Sequence, residues 1–143
     1  MRPTMIVWSV FVSLIFGTGC HRGPTLHDLR EAVAVAAGSG AQDCGFGANE
    51  APTLDAATCA AKALESKRAF FVAFEGAGID SKIIHALAVN DNGLAVRFTW
   101  DSDIYGGGNR FFTKSRIEST ACDAPVVSAD GPTIRCANHA PGA

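Results

Sequence analysis

An α+β fold is what this sequence predicts: one or two amino-terminal helices packed on an antiparallel β-meander of about four strands, two-layered and disulfide-stapled. Three observations predict it. Apolar residues fall at helical spacing up to Lys67 and alternate after Ala69; an Asn92-Gly93 pair stands between two alternating apolar runs; and four cysteines are spaced for two local bridges. At 143 residues the chain is close to the usual length of one domain, predicted here to run from 25 to 136. An apolar share of 48% with nine Phe is enough for a core and sets the chain apart from disordered or fibrous classes.

The first helix starts at Thr25, a capping residue with Asp28 three positions on, and carries Leu26, Leu29, Val33 and Ala36 at near-helical spacing. Gly38-Ser39-Gly40 ends it, and a polar stretch through Cys44, Gly45, Gly47 and Pro52 reads as a loop. A second, shorter helix is predicted over Ala56 to Lys67, with Cys59, Ala60, Ala63 and Leu64 on one face and Lys62, Glu65 and Ser66 on the other. Lys67 and Arg68 at its end suit the negative pole of the helix dipole.

From Ala69 the period becomes two, with Phe70, Val72 and Phe74 on one face of a strand that Gly76 and Gly78 interrupt. Asn92-Gly93 then predicts a two-residue hairpin turn, which places Asp91 opposite Leu94, Val89 opposite Val96, Leu87 opposite Phe98 and His85 opposite Trp100. That register makes one face nearly all apolar and leaves Ala86, Ala88 and Asn90 facing Ala95, Arg97 and Thr99 on a solvent-facing or lightly covered side. A fourth strand is predicted over Arg110 to Ile117, and a short extended piece over Thr133 to Cys136. Residues 137–143 read as a disordered tail.

The amino terminus carries Arg2, an apolar run from Met5 to Phe16, and then Gly17-Thr18-Gly19-Cys20. As a helix, that run of 12 residues spans only ~18 Å, short of the ~30 Å hydrocarbon core, so it reads as a signal peptide over residues 1–19 and not as a permanent span. Gly17 to Cys20 resembles the lipobox of bacterial lipoproteins: Gly19 and Cys20 match, Thr18 is acceptable, and Gly17 stands where the family usually has an aliphatic residue. The resemblance implies cleavage before Cys20, diacylglycerol on its thiol and a further acyl group, such as palmitate, on the freed amine. Residues 20–24 would then form the tether. His21 stands where enteric lipoproteins retained at the inner membrane have Asp, which points outward, to the outer membrane. An ordinary secretory cleavage is the alternative, because Gly17 and Gly19 are also small residues at alternate positions.

Cysteine arithmetic favours the lipid. Five cysteines in an exported chain leave one thiol to explain, and assigning Cys20 to the anchor leaves Cys44, Cys59, Cys122 and Cys136. Four cysteines can pair in three ways. Local pairing, Cys44 with Cys59 and Cys122 with Cys136, is the expectation; each bridge closes a loop of about 15 residues, worth about 3 kcal/mol in the chain-entropy model. A four-cysteine zinc site is the alternative, but the chain contains no Cys-x-x-Cys pair.

Chemistry-bearing patterns are sparse. Asp101, Asp103 and Gly106 match positions of a calcium-binding EF-hand loop, but Tyr105 and Phe112 replace ligands, so Asp101, Asp103 and Asn109 are the calcium candidates and no metal or cofactor is expected. His85, with Asp80, Ser81 or Asp101 as partners, is the starting point for any hydrolytic site, yet no nucleophile, metalloprotease or phosphate-loop signature is present. Twelve basic residues against fourteen acidic ones, without a basic run, exclude nucleic acid as an expected partner. The expectation is an exported lipoprotein of the bacterial cell envelope, anchored on the extracytoplasmic side. It would be a non-enzymatic binding or structural module that meets membrane lipid through Cys20 and another envelope protein or polymer through its folded part. The alternative is a small periplasmic hydrolase, or a ligand- or calcium-binding protein, using Asp80, His85 and Asp101.

Overall fold

The structure, a computed structural model, describes residues 23–46, 54–106, 114–128 and 132–137. The expected leader, Cys20, Asn109, the Arg110–Thr113 part of the expected fourth strand and nearly all of the expected tail lie outside the described residues. In chain order the elements are α1 (Leu26–Ala37), β1 (Gln42–Phe46), α2 (Leu54–Glu65), β2 (Phe70–Gly76), β3 (Ile83–Val89), β4 (Ala95–Asp101), β5 (Arg116–Ala121), β6 (Val126–Ser128) and β7 (Thr133–Arg135). The chain is α+β: β2 to β5 form the antiparallel meander, β1 extends it alongside β2, and β6 and β7 make a separate hairpin.

Helix α1 begins as its sequence predicts. The Thr25 hydroxyl accepts from the Asp28 N–H at 3.3 Å, and the Asp28 carboxylate accepts from the Thr25 N–H at 2.6 Å, a reciprocal capping box. The backbone and side-chain hydrogen bonds from Thr25 hold the Asp28 carboxyl below its ordinary range. Helix α2 ends in a Schellman motif, with Arg68 N–H donating to Ala63 O and Lys67 N–H to Leu64 O. Lys67 occupies its left-handed position at φ 51°, where glycine is usual.

The two helices lie on opposite faces of the sheet, not together on one. Leu29, Val33 and Ala37 of α1 pack with Phe71, Ala73, Ile84, Ala86, Ala88 and Phe98. On the other face Ala56, Ala57, Ala60 and Ala63 of α2 pack with Phe70, Val72, Phe74 and Leu87, and the β6–β7 hairpin adds Val127 and Ile134. The buried positions of α2 are all alanine, so the helix axis approaches the aromatic row closely. With both sides covered, β2 and β3 are nearly continuous buried runs.

That double burial explains a correction. The β3–β4 register is one residue away from the predicted one: Val89 pairs with Ala95, Leu87 with Arg97, Ala86 with Phe98 and His85 with Thr99, while Trp100 lies opposite Ile84. The loop has three residues, Asp91-Asn92-Gly93, closed by Gly93 N–H to Asn90 O at 2.9 Å and Asn90 N–H to Leu94 O at 3.0 Å. Asn90 Oδ1 accepts from the N–H groups of Asn92 and Leu94, and Gly93 sits at φ 76°. The side chain of Asn90 thus satisfies two loop donors that the shorter turn would not present to it. Ala86 and Ala88, expected on a solvent-facing or lightly covered side, are fully buried under α1.

Two further boundaries differ. The stretch read as a loop before Pro52 contains β1, a parallel edge strand whose Gln42 and Asp43 stand beside Phe70 and Phe71. The fourth strand of the meander is Arg116–Ala121, shifted toward the carboxyl terminus, and Thr133–Arg135 pairs with Val126–Ser128 instead of joining the meander.

Candidate functional site

The four cysteines pair locally, as expected. Cys44–Cys59 (Cα–Cα 5.4 Å) ties β1 to α2, and Cys122–Cys136 (Cα–Cα 5.0 Å) ties the end of β5 to β7. The first bridge depends on an irregularity in β1: Asp43 pairs with Phe71 but Phe46 with Ala73, so one extra residue is inserted between them. Gly45 supplies it at φ 124°. The bulge sends Cys44 into the α2 cluster while Phe46 packs with the α1 cluster.

The acidic candidates are used by the backbone. Asp101 Oδ1 accepts from Asp103 N–H at 2.9 Å, and Asp103 Oδ1 accepts from Tyr105 N–H at 3.2 Å, so both carboxylates close local turns. Ser102 closes the sheet end, its hydroxyl accepting from Lys82 N–H at 2.7 Å and its N–H donating to Lys82 O at 3.0 Å. Among the described residues no group of three or more His, Cys, Asp or Glu is arranged to hold a metal ion.

His85 stands half-buried on the α2 side of the sheet. Its Nδ1 lies 3.2 Å from Thr99 Oγ1 and 3.4 Å from Arg97 Nη2. Arg97 can only donate, so Nδ1 is the acceptor and the ring proton belongs on Nε2. Burial, and secondarily the Arg97 charge, lower the His85 pKa and favour the neutral ring. With Nδ1 accepting, the lone pair of the neutral imidazole is turned toward Thr99 and Arg97 within the fold. Asp101 shares this sheet face two positions along β4, and Asp80 is exposed in the 77–82 loop; no hydrogen bond or ion pair among the described residues joins either to His85. The Nε of Arg97 is buried without a hydrogen-bond partner among the described residues.

Beyond these groups, the surface differs at the two ends of the sheet. One end gathers the close of α2 and the 90–94 hairpin, where an open depression of about 530 Å³ lined by Gln42, Asp55, Thr58, Lys62 and Arg68 adjoins another of about 350 Å³ lined by Lys67, Arg68, Asn90 and Asp91. Lys62, Lys67 and Arg68 are exposed there, and the salt bridges of the described residues do not involve them. The sequence showed Lys67 and Arg68 only as a complement to the helix dipole. Their convergence with the hairpin follows from the Schellman turn and the strand pairing, which no spacing rule records. The other end gathers Pro24, the 77–82 loop and the start of β5.

No helix among the described residues is long and apolar enough to cross a membrane. No protein-family model, curated protein or solved structure matches the chain.

Proposed function

We propose that this chain is an exported lipoprotein of the bacterial cell envelope, anchored by acyl chains on Cys20, whose folded part is a non-catalytic binding or structural module. The observation that carries the reading is the cysteine count. Two disulfides consume Cys44, Cys59, Cys122 and Cys136, so Cys20 is the one thiol of five left for a lipid. Disulfides also suit an oxidising extracytoplasmic compartment. The engaged lone pair of His85 and the turn-closing roles of Asp101 and Asp103 support the non-catalytic part. The partner of the folded module is another envelope protein or polymer, and the end where Lys62, Lys67 and Arg68 stand exposed beside Asp55 and Asp91 is the surface offered to it.

Intact-mass measurement of detergent-extracted protein, before and after reduction and alkylation, tests the anchor. The expected result is a chain starting at Cys20 with two or three acyl groups and four thiols that appear only on reduction. A chain without acyl groups and with a thiol reactive before reduction rules the anchor out.

A further inference from the structure

We infer that the end of the sheet carrying Pro24, the 77–82 loop and residues 102–106 seats on the bilayer surface, with Ile79, Ile104 and Tyr105 entering its interfacial layer. This orientation rests on Cys20 being the acylated residue.

The first support is how the chain reaches the domain. Pro24 O accepts two hydrogen bonds, from Trp100 Nε1 at 2.9 Å and from Ser115 Oγ at 2.7 Å. Gly23 runs so close to Ser115 that a Cβ there would meet its carbonyl oxygen at 2.4 Å. The amino-terminal segment is therefore pinned to β4 and to the chain just ahead of β5 before α1 begins. Cys20 lies three residues before Gly23. Fully extended, three residues reach at most ~11 Å. The headgroup layer on one side of a bilayer is itself ~5–8 Å thick. An anchor at Cys20 leaves the domain no room to stand clear of the membrane, and it selects the end that approaches.

The second support is what that end presents. Gly76 pairs with Ile83, Ile83 with Asp101, and Asp101 with Arg116, so the β2–β3 and β4–β5 connections emerge side by side where Pro24 is held. Ile79 at the tip of the first is 100% exposed and Tyr105 in the second is 69% exposed, with Ile104 beside it. An isoleucine that touches nothing in its own fold gains only by burial elsewhere, and tyrosine is enriched where an apolar layer meets water. Ile104 also lines an open depression of about 400 Å³ with Pro24, Lys114 and Arg116; the long stem of Lys114 can lie along apolar surface with its charge among headgroups, while Arg116 is paired with Glu118 at 2.8 Å. Val35, Leu54, Leu94 and Val126 are exposed too, one each on α1, α2, the 90–94 hairpin and β6; Leu94 lies just before β4, six strand steps or ~20 Å from the Trp100 that holds Pro24.

The test couples a single-chain maleimide lipid to Cys20 of the 20–143 chain with its disulfides intact. This supplies the anchor whatever the cell does to that residue, so a failure of native acylation, read by mass, is separated from a failure of the seat. On phosphatidylcholine nanodiscs containing a lipid spin-labelled near the headgroup, the amide signals of Ile79, Ile104 and Tyr105 should broaden, while those of Lys67, Asn92 and Gly93 stay sharp. One acyl chain alone binds reversibly, so the Ile79→Ser/Tyr105→Ser double variant should lower partitioning of the conjugate into phosphatidylcholine vesicles by about tenfold. Equal broadening at both ends, broadening confined to the 90–94 hairpin, no broadening, or unchanged partitioning of a folded double variant overturns the inference.

Discussion

The imidazole of His85 lies against the backbone of Gly76, so closely that a Cβ on Gly76 would stand 2.8 Å from both Cδ2 and Nε2 of the ring. The glycine lets the ring tilt across from its own partner strand and keep Nδ1 beside Thr99 and Arg97. Gly76→Ala is expected to push the ring out of this position and to cost about 1–3 kcal/mol, as overpacking does. Combined with His85→Ala the loss should be less than additive, which denaturant titration of the four members of the cycle measures.

A pH dependence follows from the same ring. Burial and Arg97 hold the folded-state His85 pKa below its ordinary value, so the unfolded chain binds the proton more readily. Stability from this group is present above about pH 6.5, the ordinary histidine value, and falls as pH drops below it. The Asp28 carboxyl is also lowered, by its bonds with Thr25, so its contribution is present above about pH 4, the ordinary carboxylate value, and is lost only as pH falls below that toward the lowered folded value. Unfolding free energies at pH 7.5 and 5.5 should therefore differ in the native chain and differ less in His85→Asn. Equal slopes would assign the dependence to another group.

Gly45 is required twice, by its φ of 124° and by Ala56 Cβ, which an added Cβ would approach to 3.2 Å. Gly45→Ala should cost about 1–3 kcal/mol in backbone strain. Because the bulge directs Cys44 toward α2, the oxidised variant should also show a measurable fraction of free thiol by alkylation, where the native chain shows none from Cys44.

Lys67 offers the opposite case. It is a non-glycine residue at φ 51° with its side chain in solvent. Lys67→Gly should stabilise, by a few tenths up to about 1 kcal/mol, the left-handed strain relieved less the entropy that glycine adds to the unfolded chain. Lys67→Val should destabilise, since branching at Cβ worsens that conformation. A calorimetric Tm for each variant decides between these signs.

The legible parts of the fold are those written in short-range chemistry. Thr25 and Asp28 declare the start of α1, the alternation after Ala69 declares the meander, and the spacing of Cys44, Cys59, Cys122 and Cys136 matches the bridges that form. The register of β3 on β4 was not legible in the same way. A one-residue slip normally moves apolar residues into water, but Ile84, Ala86 and Ala88 are buried on one face and Leu87 and Val89 on the other, so the pattern does not penalise the slip. Asn90 chose the loop through two side-chain hydrogen bonds that the Asn92-Gly93 rule does not consider. Of the candidate site, the spacing of Asp101 and Asp103 suggested a metal loop, and only the structure shows both closing turns; the Arg97 contact that engages His85 depended on the register.

By itself, then, the sequence determined the α+β class, the start of α1 and an antiparallel meander, and it made local disulfides the expectation among three pairings, because each rests on contacts within about fifteen residues of chain or on a period along it. Only the tertiary structure decided that α1 and α2 cover opposite faces, that β1 joins the sheet in parallel, and that Pro24 is bonded to Trp100. Those choices were settled by which apolar faces were still uncovered and which buried donors still needed a partner once the strands had paired. That competition runs over the whole chain, and no local stretch records its outcome.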